Sequence, residues 1–185
     1  MAQRFNISDQ EKHFRQVLLY APGMLGNMAV NFFLDRFRYQ NWLGSTTEAW
    51  RQRRTNSPRN RGRSILVQSG RLRRSIRITR ISGLTVTIGS DVPYAKAHNE
   101  GFRGTVSVKA HSRNKYGKER VKSGKFTKSG KERMKTIQTI TATGQVKAHT
   151  RKVNILRRQF MGNSPVLEQQ MNRRLLAELL KGLRT

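Results

Sequence analysis

The sequence predicts an α+β protein: an antiparallel β-sheet flanked by N-terminal helices and a C-terminal helix, with a long basic β-hairpin insertion. Three observations carry this. Apolar residues recur at helical spacing near both ends of the chain, period-two alternation marks Ser75–Gly89 as a hairpin, and a short repeat brackets a lysine-rich segment in the second half. The chain reads as one domain over 1–185. Its parts are N-terminal helices (1–40), a basic linker (41–64), a core hairpin with the segment after it (65–110), a basic hairpin tip (111–135), return strands (136–162) and a C-terminal helix (163–185).

Ser8-Asp9-Gln10-Glu11 fits a capping box, in which the Ser8 hydroxyl and the Glu11 side chain satisfy amides that a starting helix leaves unpaired. Phe14, Val17 and Leu18 follow at helical spacing. Pro22, a residue favoured in a first turn, is expected to end that helix and open a second. Leu25, Met28, Ala29, Phe32, Phe33, Arg36 and Phe37 form the second helix's stripe, a face broad enough for the core. Asn41–Gly62 reads as an irregular connection. Its two tryptophans, Trp42 and Trp50, either stack on nucleic-acid bases or anchor the loop onto the core, and the anchoring role is the favoured one.

Ser75–Ile81 and Leu84–Gly89 each alternate, with a turn at Ser82-Gly83 between them, so one face is apolar and the other carries Arg and Thr. Pro93–Gly101 is a short helix or turn crossing the sheet. Val106 and Val108 begin another strand, and Ile137, Ile140 and Val146 mark its return. Val108-Lys-Ala-His-Ser-Arg113 recurs as Val146-Lys-Ala-His-Thr-Arg151, which places the copies on two arms of one hairpin whose lysine-rich tip projects from the body. Ser164-Pro165 supplies a helix cap and first-turn proline. Leu167, Met171, Leu175 and Leu179, with Leu176, Leu180 and Leu183 beside them, make the last helix amphipathic up to Gly182.

With 38 Lys+Arg against 10 Asp+Glu in 185 residues, the net charge is +28, far from that of a typical enzyme. Such a chain is drawn to polyanions or acidic partners. The charge is concentrated. Arg51–Arg80 contains no acid and carries Arg51, Arg53, Arg54, Arg59, Arg61, Arg63, Arg71, Arg73, Arg74, Arg77 and Arg80, whereas His111–Lys135 is mostly lysine. Arginine suits bidentate docking and lysine a mobile, hydrated charge. Cysteine is absent, which removes disulfides and thiolate-bound zinc. Apolar stretches broken within a few residues, and an N-terminus without a signal-like apolar core, predict a soluble protein that stays where it is made.

The sequence carries no catalytic motif. Gly124–Lys131 has five residues between its glycines where a phosphate loop has four, and Glu132 stands where a magnesium-binding hydroxyl belongs. His13, His98, His111 and His149 lack the spacing of a metal site. His111 and His149 would face each other across the hairpin, but no carboxylate lies near them to complete a shell. No carboxylate pair sits in an apolar setting and no nucleophile elbow occurs, so neither catalytic residues, nor a metal, nor a cofactor is expected.

Ile65-Leu66-Val67-Gln68-Ser69-Gly70-Arg71-Leu72-Arg73-Arg74-Ser75-Ile76, then Ile88-Gly89-Ser90 and Pro93-Tyr94-Ala95-Lys96-Ala97-His98-Asn99-Glu100-Gly101, resemble the tailed-phage virion morphogenesis family of tail-completion and head–tail joining proteins. Phe37, Gln40-Asn41-Trp42 and Trp50 upstream resemble that family's linker. Arg157-Arg158-Gln159-Phe160-Met161-Gly162 downstream is similar to its turn before the last helix. The motif residues that carry the likeness are Gly70, Leu72, Ser75, Ile76, Gly89, Tyr94, Ala95, His98, Gly101, Phe160 and Gly162. Read physically, the glycines permit turns, and Tyr94 and His98, four apart, form a packed, hydrogen-bonded core pair rather than a catalytic one.

The resemblance implies a structural protein of the phage neck: a homo-oligomeric ring, a hexamer, joining the head connector to the tail tube or tail terminator. It also implies a place in the virion and assembly in the host cytoplasm, without a membrane. Arg113, Lys115, Lys118, Lys122, Lys125, Lys128 and Lys131 are then expected to contact a neighbouring subunit, another neck protein or packaged double-stranded DNA. The competing reading is an RNA-binding protein of ribosomal type, which shares the composition but has no need to self-associate.

Overall fold

Where two helices are expected around Pro22, one helix of 33 residues runs unbroken, α1 (Ile7–Tyr39), in a computed structural model that describes residues 7–53 and 62–182. A proline inside a helix costs about 3 kcal/mol through its missing N–H and its clash with the preceding turn. Tertiary packing outweighs that here, because Val17, Ala21, Pro22, Gly26, Ala29, Phe32, Phe33, Arg36 and Phe37 form one buried stripe that passes straight through the proline. Ser8 and Glu11 both lie inside the helix. Glu11 accepts from the Arg15 guanidinium at 2.6 and 3.1 Å, an i,i+4 pair in place of the expected capping box. Val17–Leu34 contains no charged residue, a longer run than the expected short, broken stretches. By length and composition α1 is able to cross a bilayer, yet the phenylalanines of its second half lie in the protein core, as in a core helix.

Gln40 stops α1 by taking a left-handed backbone (φ 53°), and its carbonyl accepts the Trp50 amide at 2.8 Å. Between them β1 (Asn41–Leu43) pairs with β2 (Thr47–Ala49). A short helix α2 (Arg71–Ser75) leads into the antiparallel pair β3 (Arg77–Ser82) and β4 (Thr85–Gly89), followed by α3 (Ala95–Glu100). The register Ile78↔Ile88 and Ile81↔Val86 requires an extra residue between Ile78 and Arg80. That bulge returns Ile81 to the face of Ile78, although the sequence spacing alone would turn it away. Gly26 lets α1 lie close on this hairpin, since a methyl group there would meet Ile78 Cδ1 at 2.8 Å and Val86 Cγ1 at 2.9 Å.

The core gathers Phe32, Phe33 and Phe37 of α1 with Trp42, Trp50, Ile65, Leu72, Ile76, Val92, Phe160 and Leu167. Phe37 sits at its centre, with the Phe160 ring 5.0 Å and the Trp50 ring 5.6 Å away, centroid to centroid. Both tryptophans are anchors. Each is buried, and the Trp50 indole donates to the Gln159 carbonyl at 2.8 Å. Arg36 is buried too, its guanidinium over the Phe32 ring and bonded to the Phe32 carbonyl and to Asn41 Oδ1, so burial pulls its ionisation below the usual value.

The last helix, α4 (Pro165–Lys181), begins as expected at Ser164, whose hydroxyl accepts the Leu167 amide and donates to the Leu43 carbonyl at 2.6 Å. The expected stripe is its packed face, with Leu167 buried and Met171, Leu175 and Leu179 half-buried, while the flanking Leu176 and Leu180 are exposed. Glu178 also lies inside, held by Lys181, Arg174 and the Tyr20 hydroxyl of α1. Leu183 falls outside the described residues.

The chain divides into two compact units, Met1–Phe102 with Ile155–Thr185, and Arg103–Asn154. The core just described belongs to the first. The second is built from ladders: β5 (Phe102–Val108) pairs with β8 (His149–Ile155), and β6 (His111–Phe126) pairs antiparallel with β7 (Glu132–Val146). None of residues 103–154 is buried. Most of the stretch expected as a hairpin tip is strand, with the turn confined to Thr127–Lys131, where Thr127 N–H donates to the Lys131 carbonyl at 2.8 Å. The two copies of the repeat do stand on opposite arms: Val146 is opposite His111, Val108 ends β5 and His149 opens β8. Each copy makes the same local bond, His111 Nδ1 to the Lys109 carbonyl at 2.9 Å and His149 Nδ1 to the Lys147 carbonyl at 3.0 Å. The α+β class holds, with the strands among the described residues arranged as four two-stranded ladders, of which β1–β2, β3–β4 and β6–β7 are antiparallel.

Candidate functional site

The two halves of the sequence motif meet around one cavity of the first unit. Gly70, left-handed at φ 72°, precedes α2 and turns the chain so that Leu72 and Ile76 enter the core. Ser75, buried between them, donates to the Leu72 carbonyl at 2.7 Å and lies 2.6 Å from the Ser90 hydroxyl, which accepts the Val92 amide. This ties α2 to the segment entering α3. There Ala95 N–H bonds back to Val92, and Tyr94 and His98 come into edge-on contact, centroids 5.9 Å apart. Between the two halves lies a cavity of about 450 Å³. Ile65, Leu66 and Leu72 give it an apolar wall, and Tyr94, His98, Arg53, Arg71 and Arg158 a polar one.

Tyr94 and His98 are therefore wall residues rather than the expected hydrogen-bonded core pair. The Tyr94 side chain is exposed, and His98 Nδ1 is buried with no hydrogen-bond partner among the described residues. The cavity brings in arginines from outside the motif. Arg53 donates to the carbonyls of Arg63 and Ser64, and Arg158 donates through Nε and Nη2 to the Arg51 carbonyl. Burial, and then the positive Arg53, pull Arg158 below its ordinary ionisation. Burial, and then Arg158, likewise lower His98. Among the described residues no carboxylate lines the cavity, so it offers a solute donors and positive potential.

Asn99, which sequence reasoning passed over within the motif, carries the contact to the late turn. Its Oδ1 accepts the amides of Phe160 and Met161, each at 2.9 Å, and its Nδ2 donates to the Met161 carbonyl at 3.1 Å. The Arg158 amide meanwhile donates to the His98 carbonyl at 2.8 Å. Gly101 makes the approach possible. It has φ 82°, and a Cβ there would stand 3.1 Å from the Arg157 nitrogen. Phe160 is then delivered to the core centre, and Gly162 passes beside Gln159 and Trp42. Gly89, at the end of β4, lies beside Thr79, and Ala95 packs partly buried on the core. The signal that marks Asn99 is its polarity next to a glycine at a helix end, where side-chain amides substitute for missing backbone partners.

Arg113, Lys115, Lys118, Lys122 and Lys125 lie on β6 and Lys128 and Lys131 in its turn, all exposed. The register sets Gly144, Ala142, Gln138 and Met134 opposite Arg113, Lys115, Lys118 and Lys122, so the ladder leaves the charges unneutralised. Glu132 is the local exception, 3.4 Å from Lys122. Residues 103–154 hold fifteen Lys and Arg against two Glu, which makes this ribbon a cationic surface. Of the first basic region, Arg54, Arg59 and Arg61 lie outside the described residues.

The family model of phage virion morphogenesis matches residues 33–180, a span that includes the cavity, the ribbon and all but the last residue of α4. The chain belongs to the phage virion morphogenesis family. Its role is accordingly in phage virion structure and assembly, in association with other virion components. No curated protein and no solved structure matches the chain.

Proposed function

We propose that the protein is a tail-completion or head–tail joining subunit of the phage neck, assembled as a homo-oligomeric ring of six between the head connector and the tail tube or terminator. In this reading it works by association rather than catalysis, needs no cofactor, assembles in the host cytoplasm and resides in the finished virion. The observation that carries the reading, beside the family, is the ribbon of β6 and β7. Its strands of 16 and 15 residues bury no side chain and present unneutralised cations. A two-stranded hairpin is marginal by itself in water, and such a surface becomes useful when a partner covers it. The partner is a neighbouring subunit, another neck protein or the DNA passing through the ring, met by Arg113, Lys115, Lys118, Lys122, Lys125, Lys128 and Lys131.

The test is the native mass of nuclease-treated protein at moderate and high salt. A discrete hexamer that persists in salt supports the ring, because apolar subunit contacts survive screening. A monomer that carries RNA at low salt and sheds it at high salt overturns the reading in favour of a ribosomal-type RNA binder.

A further inference from the structure

The motif cavity is lined by residues of the first unit and has no part in the role proposed above for the ribbon. It is concave, of about 450 Å³, and half of its wall is apolar. The other half carries, among the described residues, three guanidiniums and an imidazole without one carboxylate. Arg53 and Arg158 are fixed in place by the carbonyls they bind, so the cavity's positive edge is built in advance. The Arg71 guanidinium, exposed at the mouth, has no bonding partner among the described residues, and buried His98 Nδ1 has none either. Cations gathered this way repel one another, and an entering anion relieves that repulsion.

We propose that this cavity is a receptor for an acidic peptide of another virion component, whose carboxylate sits between Arg71, Arg158 and His98 while an adjoining apolar side chain lies against Leu66 and Leu72. The shape selects this occupant over DNA. A duplex presents a convex ridge of phosphates that lysines and arginines track along an open surface. Among the described residues this cavity has no lysine, carries an apolar wall of Ile65, Leu66 and Leu72, and is of a size that admits a side chain or a chain end. The proposal rests on the family assignment and not on the ring, so a subunit that remains monomeric still tests it.

The experiment uses the full chain with labelled histidine rings and a blocked hexapeptide of alternating leucine and glutamate. Its leucine–glutamine counterpart, inorganic phosphate and a short DNA duplex are titrated in parallel. The expected result is saturable movement of the His98 ring signal with the glutamate peptide, a rise in the pH at which His98 titrates, and no movement of His111 or His149. Arg71→Gln, at an exposed position, is expected to keep the melting temperature and weaken the peptide about tenfold, the usual cost of one charge-assisted bond. Equal binding of the glutamine peptide, an unmoved His98, or a His98 response to the duplex in place of the peptide overturns the proposal. A response to phosphate alone, without the peptide, overturns it equally.

Discussion

Asn99 and Met161 are joined by a two-way bridge: Asn99 Oδ1 accepts the Met161 amide at 2.9 Å while Asn99 Nδ2 donates to the Met161 carbonyl at 3.1 Å. One side chain thus pairs with a backbone as a strand would, and the same oxygen takes the Phe160 amide. The bridge holds the chain where it delivers Phe160 to the core. Asn99→Ala leaves two amides and a carbonyl partly buried without partners and is expected to cost about 2–4 kcal/mol in chemical denaturation. Asn99→Asp keeps the acceptor and loses the donor, and should cost less than the alanine variant.

Two helix glycines should respond with opposite sign. Gly23 of α1 has nothing within 4 Å of an added Cβ, so Gly23→Ala is expected to stabilise by about 0.5–1 kcal/mol through helix propensity. At Gly26 the same change pushes into Ile78 and Val86, and a net loss is expected. Thermal melts of the two variants side by side decide it. A gain at both positions would mean that α1 lies further from β3 and β4.

Gly101→Ala meets both a left-handed backbone and the Arg157 main chain, and is expected to lose about 2–3 kcal/mol. Gly83→Ala, at φ 55° in open space, should lose only about 1 kcal/mol. Equal losses in denaturant would remove the close approach from the account.

Acid should destabilise the protein through two groups. His98 titrates below its ordinary 6.5 because burial and Arg158 oppose its charge, so the unfolded chain binds its proton first. The stabilisation by neutral His98 is full above 6.5 and is lost as pH falls from there through the folded value. Glu178 is lowered from 4.5 chiefly by its bond from Lys181, against the opposing effect of burial, and its stabilisation is lost only at more acid pH, as the carboxylate protonates. His98→Gln should therefore flatten the melting temperature between pH 7.5 and 5.5 and leave the drop below pH 4.5 in place.

Replacing Lys115, Lys118, Lys122, Lys125, Lys128 and Lys131 with glutamine should leave the melting temperature of the first unit unchanged, since all six are exposed and none is a member of its core. If the ribbon serves assembly, infectious tailed particles fall in a complementation assay. Undiminished yields would free the ribbon of that role.

Periodicity and caps make much of the fold legible in the sequence. The stripe of Phe32, Phe33 and Phe37, the hairpin of β3 and β4, and the Ser164 cap all follow from local rules that a short window contains. The motif residues were legible as a group, because the spacing of Gly70, Leu72, Ser75, Tyr94, His98 and Gly101 carries the family. The structure departs from local pattern at Pro22, which does not break its helix, at Tyr94 and His98, which are not a core pair, and at the hairpin tip, most of which is strand. Each depends on what packs against the residue from far along the chain: the stripe that crosses Pro22, the cavity beside His98, and the register that extends β6 to Phe126.

By itself the sequence determined the class of fold, the cationic character of the second half and the family, since composition and short-range spacing encode these directly. Only the tertiary structure decided that Arg53, Arg71 and Arg158 share one cavity with His98, and that Asn99 is a structural bridge. The physical reason is distance along the chain. Arg53 and Arg158 stand more than a hundred residues apart, and no local pattern states that folding sets their charges within reach of one another.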